Sequence, residues 1–450
     1  MPGRAPGPFC CALFSSCNFW LGIHPLRKHV MSELLSQRSA LILQFEEHLA
    51  RKRYGLATGK RYLAVAGHFL KYIEGRHVPI DSVQPSHVTM YLARELRQFS
   101  RRHGRAPASV DHWRSSHTAG VYQFLLCVVG QWPPRATASG PNAANCQLIG
   151  AEYEQWLREE RGLAAETIAE RTAEAGRFLA WFSQRNEAGT LSALAIADVD
   201  AYLQSRAPSL RRVSRKGVAQ RMRCFLRFAH ATDRTERDFS LCVMAPPLYA
   251  FESIPCALSP DQVKAVLQAS RNDPSPKGLR DYAILLLLAT YGMRAGEITR
   301  LQLNDIDWRA DRIFVRHTKT SSQSILPLIP AVGEALLAYL RRGRPKTDVR
   351  EVFIRMCAPF RGFVNGSSLY ASTRRRLDAA GVQPGGKRGP HAFRHARAVS
   401  LLREGTPMKI IGDVLGHRSA SSTSVYLKLA TEDLRNVALE IPCLAEEAQS

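Results

Sequence analysis

Six side chains in the C-terminal part of the sequence have types and spacings that suit phosphoryl chemistry. They are Arg294 in TYGMRAGEI, Lys319 in HTKTSSQ, His391 and Arg394 in HAFRH, His417 in LGHRS and Tyr426 in SSTSVYLKL. Taken singly, each has a plainer reading. Arg394 suits a solvated surface, Lys319 a polar turn, His417 a helix cap behind Gly416, and Tyr426 the half-buried face of an amphipathic helix. Together they meet one chemical need. Metal-free attack on a phosphodiester requires cations on the non-bridging oxygens, which two arginines supply through bidentate contacts. It also requires a proton donor for the departing 5′ oxygen, help for the attacking group to lose its proton, and a nucleophile that forms a covalent intermediate. A tyrosine meets the last requirement. The sequence has neither a phosphate-cradling glycine loop of the Walker type nor a CxxC pair of the kind that holds zinc.

The charge of the whole chain fits a phosphate-bearing partner. Its 450 residues carry a formal net charge of +23. Neutralising phosphates and releasing their counterions is what drives such a chain onto nucleic acid. A generally basic proteome is the plainer explanation. An anionic membrane surface fits less well, because no long basic amphipathic helix is visible and the apolar run Ala283–Ala289 is too short to span a bilayer. Cysteines stand singly from Cys127 onward, which predicts buried thiols in a reducing cytoplasm, not disulfides or a metal site.

The elements that must position these residues are mostly helical. Segment Phe45–Ile73 parallels Tyr153–Phe182, pairing Leu49 with Leu157, Gly55-Leu56 with Gly162-Leu163 and Gly67-His-Phe-Leu with Gly176-Arg-Phe-Leu. HVTMYL (87–92) parallels DVDAYL (198–203), and Tyr122-Gln-Phe-Leu lies beside Arg223-Cys-Phe-Leu. Two helical modules in tandem are expected at 38–133 and 146–245. Linkers are expected at Pro133–Asn145 and Ala245–Pro255, both rich in turn-forming residues. Ser259-Pro260-Asp261 announces a helix and opens a domain over 257–440, followed by a tail at 441–450. Within that domain Asp311–His317 and Ser324–Pro330 predict a β-hairpin. Helices are expected over 389–405, Pro407–Leu415 and Ser421–Leu439. The fold class is thus mainly α with a small β-hairpin or sheet. Residues 1–37 read as an N-terminal extension: Phe9–Ile23 faintly resembles a signal peptide without a cleavage site, and Met31 reads as the natural start.

Residues 257–440 resemble the catalytic domain of the tyrosine recombinase (phage integrase) family. Ala289–Asp307 resembles the family's first box, with Arg294 on its catalytic arginine and Glu297 on its acidic position. TKT ahead of ILPL resembles the family's hairpin and puts Lys319 on the catalytic lysine. His391–Tyr426 resembles the second box almost throughout. The resemblance implies that Arg294, Arg394 and His417 bind the scissile phosphate. It assigns protonation of the 5′ oxygen to Lys319, proton-transfer assistance to His391, and attack to Tyr426, leaving a 3′-phosphotyrosyl bond. That ester conserves the bond energy, so religation requires neither ATP nor a divalent metal. No cofactor is expected.

The resemblance further implies double-stranded DNA with inverted-repeat core sites as partner. It implies a homotetramer, or a hetero-assembly with related recombinases, and a clamp between a helical core-binding domain and the catalytic domain. Residues 146–245 resemble that core-binding domain. The module at 38–133 departs from the family, most of whose members have one, and the doubling favours a mobile-element recombinase acting in the cytoplasm. Two other functions remain: a catalytically silent DNA-binding accessory protein, against which the complete residue set argues, and a type IB topoisomerase-like enzyme.

Overall fold

The computed structural model describes residues 24–134, 141–186, 190–249, 257–317, 322–386, 388–416 and Thr423. The chain divides into two compact units, 1–134 with 255–450 and 135–254. In the first unit, helices α1 (His24–Arg51), α2 (Leu56–Glu74), α3 (Pro85–His103) and α4 (Val110–Val129) enclose one core. The apolar spacing of α2 turns Val65, Ala66, Phe69, Leu70 and Ile73 to that core. Ser109 Oγ caps α4 by accepting from His112 N at 3.2 Å. The first helix begins at His24, so it runs through Met31.

The second unit repeats the plan with α5 (Pro141–Glu159), α6 (Ala165–Ser183), α7 (Ile196–Arg206) and α8 (Arg212–Ala231). Helix α5 starts inside the stretch expected as a linker, with Pro141 at its first position, where a missing N–H costs nothing. The core pairs recur. Phe69 meets Tyr91 edge-on at 5.2 Å and 75°, and Phe178 meets Tyr202 at 5.1 Å and 77°. Phe45 with Phe124 and Tyr153 with Phe225 repeat a second edge-on contact, at 5.4 and 5.2 Å.

One sequence pairing does not survive. Gly55 is the extended N-cap of α2 and matches Ala164, the N-cap of α6. The left-handed residue of the preceding turn is Gly162 in one module and Arg53, at φ +60°, in the other. The turn has a different length in the two modules, which shifts the glycines out of register.

The C-terminal portion of the first unit is built around α10 (Pro276–Tyr291), whose apolar run is buried on nearly every side and is a core helix. Helices α9 (Pro260–Arg271) and α11 (Ala295–Arg300) flank it in sequence. A three-stranded antiparallel sheet follows, in the order β1 (Ile306–Asp307), β2 (Arg312–His317) and β3 (Ser322–Pro327). Strand β3 ends earlier than expected because Pro330 opens α12 (Pro330–Ala338), with its fixed φ suited to the first helical turn. Strand β1 is two residues long, too short for alternation to register in a sequence. Helices α13 (Tyr370–Ala379), α14 (Pro390–Arg403) and α15 (Met408–Val414) complete the described chain. The helix expected over Ser421–Leu439 lies, apart from Thr423, outside the described residues. Among the described cysteines, Cys224 is buried while Cys242 and Cys357 are exposed. The expectation of buried thiols therefore fails at those two positions. Both lie in irregular segments at the surface. Among the described residues no helix is long and apolar enough to cross a membrane.

Candidate active site

Arg294 stands where two helices meet. Helix α10 ends at Gly292 in the left-handed conformation (φ +64°), and Arg294 is the N-cap of α11. A Cβ at Gly292 would lie 2.7 Å from Leu415 Cδ2, so this turn is glycine for both conformation and space. Glu297, one turn into α11, closes back on Arg294. Its carboxylate accepts from Arg294 N at 2.7 Å and from Arg294 Nη1 at 2.8 Å. Burial alone would push the Glu297 carboxyl upward. The hydrogen bonds from His317 and Arg294 outweigh it and hold the group below its ordinary value, hence ionised.

The other Nη of Arg294 donates to Gly416 O at 2.7 Å. Arg394, deeply buried on α14, donates from Nη1 to Gly292 O at 2.7 Å and from Nη2 to Leu415 O at 2.5 Å. The two guanidiniums thus converge on two short turns, 292–294 and 415–416, and lace them together. His391 lies one helical turn before Arg394 on α14, exposed, with its ring 6.3 Å from that of His395. Gly416 immediately precedes His417. Thr423, three residues ahead of Tyr426, is buried against α15: a Cβ at Gly412 would lie 3.1 Å from Thr423 Oγ1.

Of the six residues expected from the sequence, Arg294, His391 and Arg394 are described. The structure brings the two arginines to one pair of turns and sets His391 on the same helix as Arg394. Lys319, His417 and Tyr426 lie outside the described residues.

Sequence reasoning passed over His317, the last residue of β2. It is buried, with Nδ1 2.7 Å from Glu297 Oε1 and Nε2 2.7 Å from Ser324 Oγ. The available signal was a polar residue at an inward position of an alternating strand, in step with Ile313 and Val315.

Two arginines fixed by backbone carbonyls and a buried carboxylate form a preorganised cationic site for an oxyanion. It carries the donors that a transferring phosphoryl group needs. The profile of the phage integrase family matches residues 257–433. A putative integrase/recombinase of Sinorhizobium fredii, y4rA, is 32% identical over 401 residues, spanning 89% of this chain and 94% of the relative. A second from the same organism, y4gC, is 58% identical over 189 residues, 42% of this chain and 97% of the relative. The tyrosine recombinase XerD of Mycobacterium tuberculosis is 30% identical over 307 residues, 65% of this chain and 95% of the relative. Among solved structures, a lambda integrase tetramer bound to a Holliday junction aligns at a TM-score of 0.49 with 16% identity, covering 69% of this chain and 86% of that one. The chain belongs to the phage integrase family. It is a tyrosine recombinase, an enzyme of site-specific DNA strand exchange.

Proposed function

We propose that Tyr426 is the nucleophile of this recombinase and that Arg294, Arg394 and His417 hold the scissile phosphate. The phenolic oxygen forms the new P–O bond as the P–O5′ bond breaks. His391 assists removal of the phenolic proton, and Lys319 gives a proton to the departing 5′ oxygen. The 3′-phosphotyrosyl ester then accepts a 5′-hydroxyl from the partner strand, and the same groups act in reverse. The observation that supports this reading is the convergence of the Arg294 and Arg394 guanidiniums on the turn that leads into His417.

The domains in this reading are 38–133, 146–245 and 257–440, with a tail at 441–450. The partner is double-stranded DNA with inverted-repeat core sites, bound by a tetramer of this chain or of this chain with related recombinases, in the cytoplasm. The doubled helical module and the relatives named integrase/recombinase favour a mobile-element role such as integration, excision or transposition. The test is a core-site substrate nicked beside the cleavage point, which traps the covalent protein–DNA adduct. Wild type gives the adduct on a denaturing gel, and Tyr426→Phe binds the DNA but gives none. An adduct from Tyr426→Phe would remove Tyr426 from the role.

A further inference from the structure

The buried side chain of His317 touches three separate pieces of the site. Alternation along β2 turns it inward beneath Ile313 and Val315, where an aliphatic residue would be the ordinary choice. A buried imidazole requires partners at both nitrogens, and it has them. With the hydrogen on Nδ1, it donates to Glu297 Oε1 at 2.7 Å, while Nε2 accepts from Ser324 Oγ at 2.7 Å on the facing strand. Glu297 is the carboxylate that holds both the backbone and the guanidinium of Arg294.

The third contact is steric. A Cβ at Gly416 would lie 2.7 Å from His317 Cε1, so the turn before His417 rests directly on the imidazole ring. Gly416 is also left-handed, at φ +61°. One ring therefore fixes the last pair of the hairpin ladder, the carboxylate behind Arg294 and the backbone that accepts from Arg294 Nη2.

We propose that His317 is a positioning residue for proton delivery to the leaving 5′ oxygen, tying the end of β2, two residues from Lys319, to the Arg294–Glu297 pair and the 415–416 turn. This rests on the reading of Lys319 as the proton donor. Strand β2 alone would hold its last residue only by the ladder bonds of that final pair. The imidazole adds a side-chain anchor at that end, opposite Ser322 in the register. Loss of the anchor leaves the end of β2, from which the chain continues to Lys319, less firmly fixed, while the buried Arg394 keeps its own carbonyl bonds. Small misplacements of a proton donor are expensive, because general acid catalysis depends on heavy-atom distances near 3 Å.

The test compares the nicked core-site substrate with one whose bridging 5′ oxygen is replaced by sulfur. In both, Tyr426 forms the P–O bond. Oxygen leaves only with a proton from a donor, whereas sulfur leaves as the thiolate and requires none. His317→Ala is expected to slow cleavage of the oxygen substrate on the order of a hundredfold, within the range for loss of a general acid. The sulfur substrate should bring it back to within about tenfold of wild type, with core-site affinity unchanged.

Lys319→Ala should behave the same way, and Arg294→Ala should stay slow on both substrates. Ser324→Ala and His317→Asn, which each keep one of the two bonds, should show smaller losses that sulfur also restores. These two carry the test if His317→Ala fails to fold. An equal loss on both substrates, or no loss in any variant, overturns the proposal. If Lys319→Ala is not restored by sulfur, the lysine reading fails and takes this inference with it. If Lys319→Ala is restored and the His317 variants are not, this inference fails alone.

Discussion

The two helical modules place the same aromatic pair at their centres and stabilise it by opposite means. In the first module, Tyr91 OH donates to the backbone carbonyl of Val65 at 3.2 Å. In the second, Tyr202 OH donates to the carboxylate of Glu174 at 2.7 Å, and Glu174 occupies the position of Val65 in the aligned helix. Glu174 is buried and gathers Arg177 at 2.7 Å, Arg206 at 3.3 Å and Arg221 at 3.8 Å. One repeat thus closes its core with an aliphatic residue and a main-chain acceptor. The other closes it with a charge and three guanidiniums that reach the surface. A buried charge that removal of its partners would strand is a weak source of stability and a strong source of specificity for one arrangement. A shared plan of packing therefore does not imply shared energetics.

The largest effect that would separate the modules is at Glu174. Glu174→Gln keeps the shape and an acceptor for Tyr202 but leaves Arg177 and Arg206 without their counter-charge and Arg221 with only the exposed Glu170, at 3.7 Å. Breaking a fully buried pair costs ~3–5 kcal/mol; because these guanidiniums are partly solvated, about 2–3 kcal/mol is expected here. Amide exchange of α6 and α7 in the full chain would read it, with the first module unchanged.

The pH dependence carries the same sign. Burial acts to raise the Glu174 carboxyl, but its bonds from Arg177 and Tyr202 hold it below the ordinary 4.5. A depressed carboxyl contributes stability that is full above its unfolded value and lost as pH falls through the folded one. Wild type should therefore loosen in the second module below about pH 4.5, an acid loss that Glu174→Gln should lack. Equal acid sensitivity of both modules would show that the contrast has no energetic content.

A smaller effect sharpens the contrast at the tyrosines themselves. Tyr202→Phe removes a hydrogen bond to an ionised group, expected to cost about 2 kcal/mol. Tyr91→Phe removes one to a neutral carbonyl, about 1 kcal/mol. The edge-on ring pairs survive both changes, so the difference isolates the acceptor. Denaturant midpoints compared with local exchange in each module would measure it, and indistinguishable losses would mean that the carboxylate is no better an acceptor here than the main chain.

Much of this was legible in the sequence, for reasons that differ by residue. Phe69, Phe178, Tyr91 and Tyr202 announced a repeat because core positions recur at helix spacing. Arg294, His391 and Arg394 were legible as motif residues whose chemistry belongs together. Glu174 was not, because AETIAERTAEAGR reads as a solvated, charge-rich face until packing shows which carboxylate is inside. His317 was hidden for a related reason: its partners at 297, 324 and 416 are joined only by the tertiary fold. The misplaced match of Gly55 with Gly162 came from trusting a residue type where the turn length had changed.

That turn gives the last and smallest test. Arg53 holds the left-handed position that glycine fills in the second module, and a non-glycine residue there costs roughly 1–2 kcal/mol. Its side chain offsets part of the strain within the first unit. The guanidinium donates to Lys346 O at 2.6 Å and lies 5.6 Å over the Phe360 ring, so the end of α1 is fastened to the catalytic segment around 344–361. Arg53→Gly imports the second module's solution. It relieves the backbone and gives up both contacts, so the net change in stability should be within about 1 kcal/mol. The exchange rate of residues 344–361 should nevertheless rise, because their partner is gone. Arg53→Ala, which keeps the strain and loses the contacts, should be the less stable of the two by roughly 1 kcal/mol. If instead both variants leave the exchange of 344–361 at the wild-type rate, Arg53 does not fasten the first module to the catalytic segment, and the left-handed arginine is only a tolerated defect in a repeated turn.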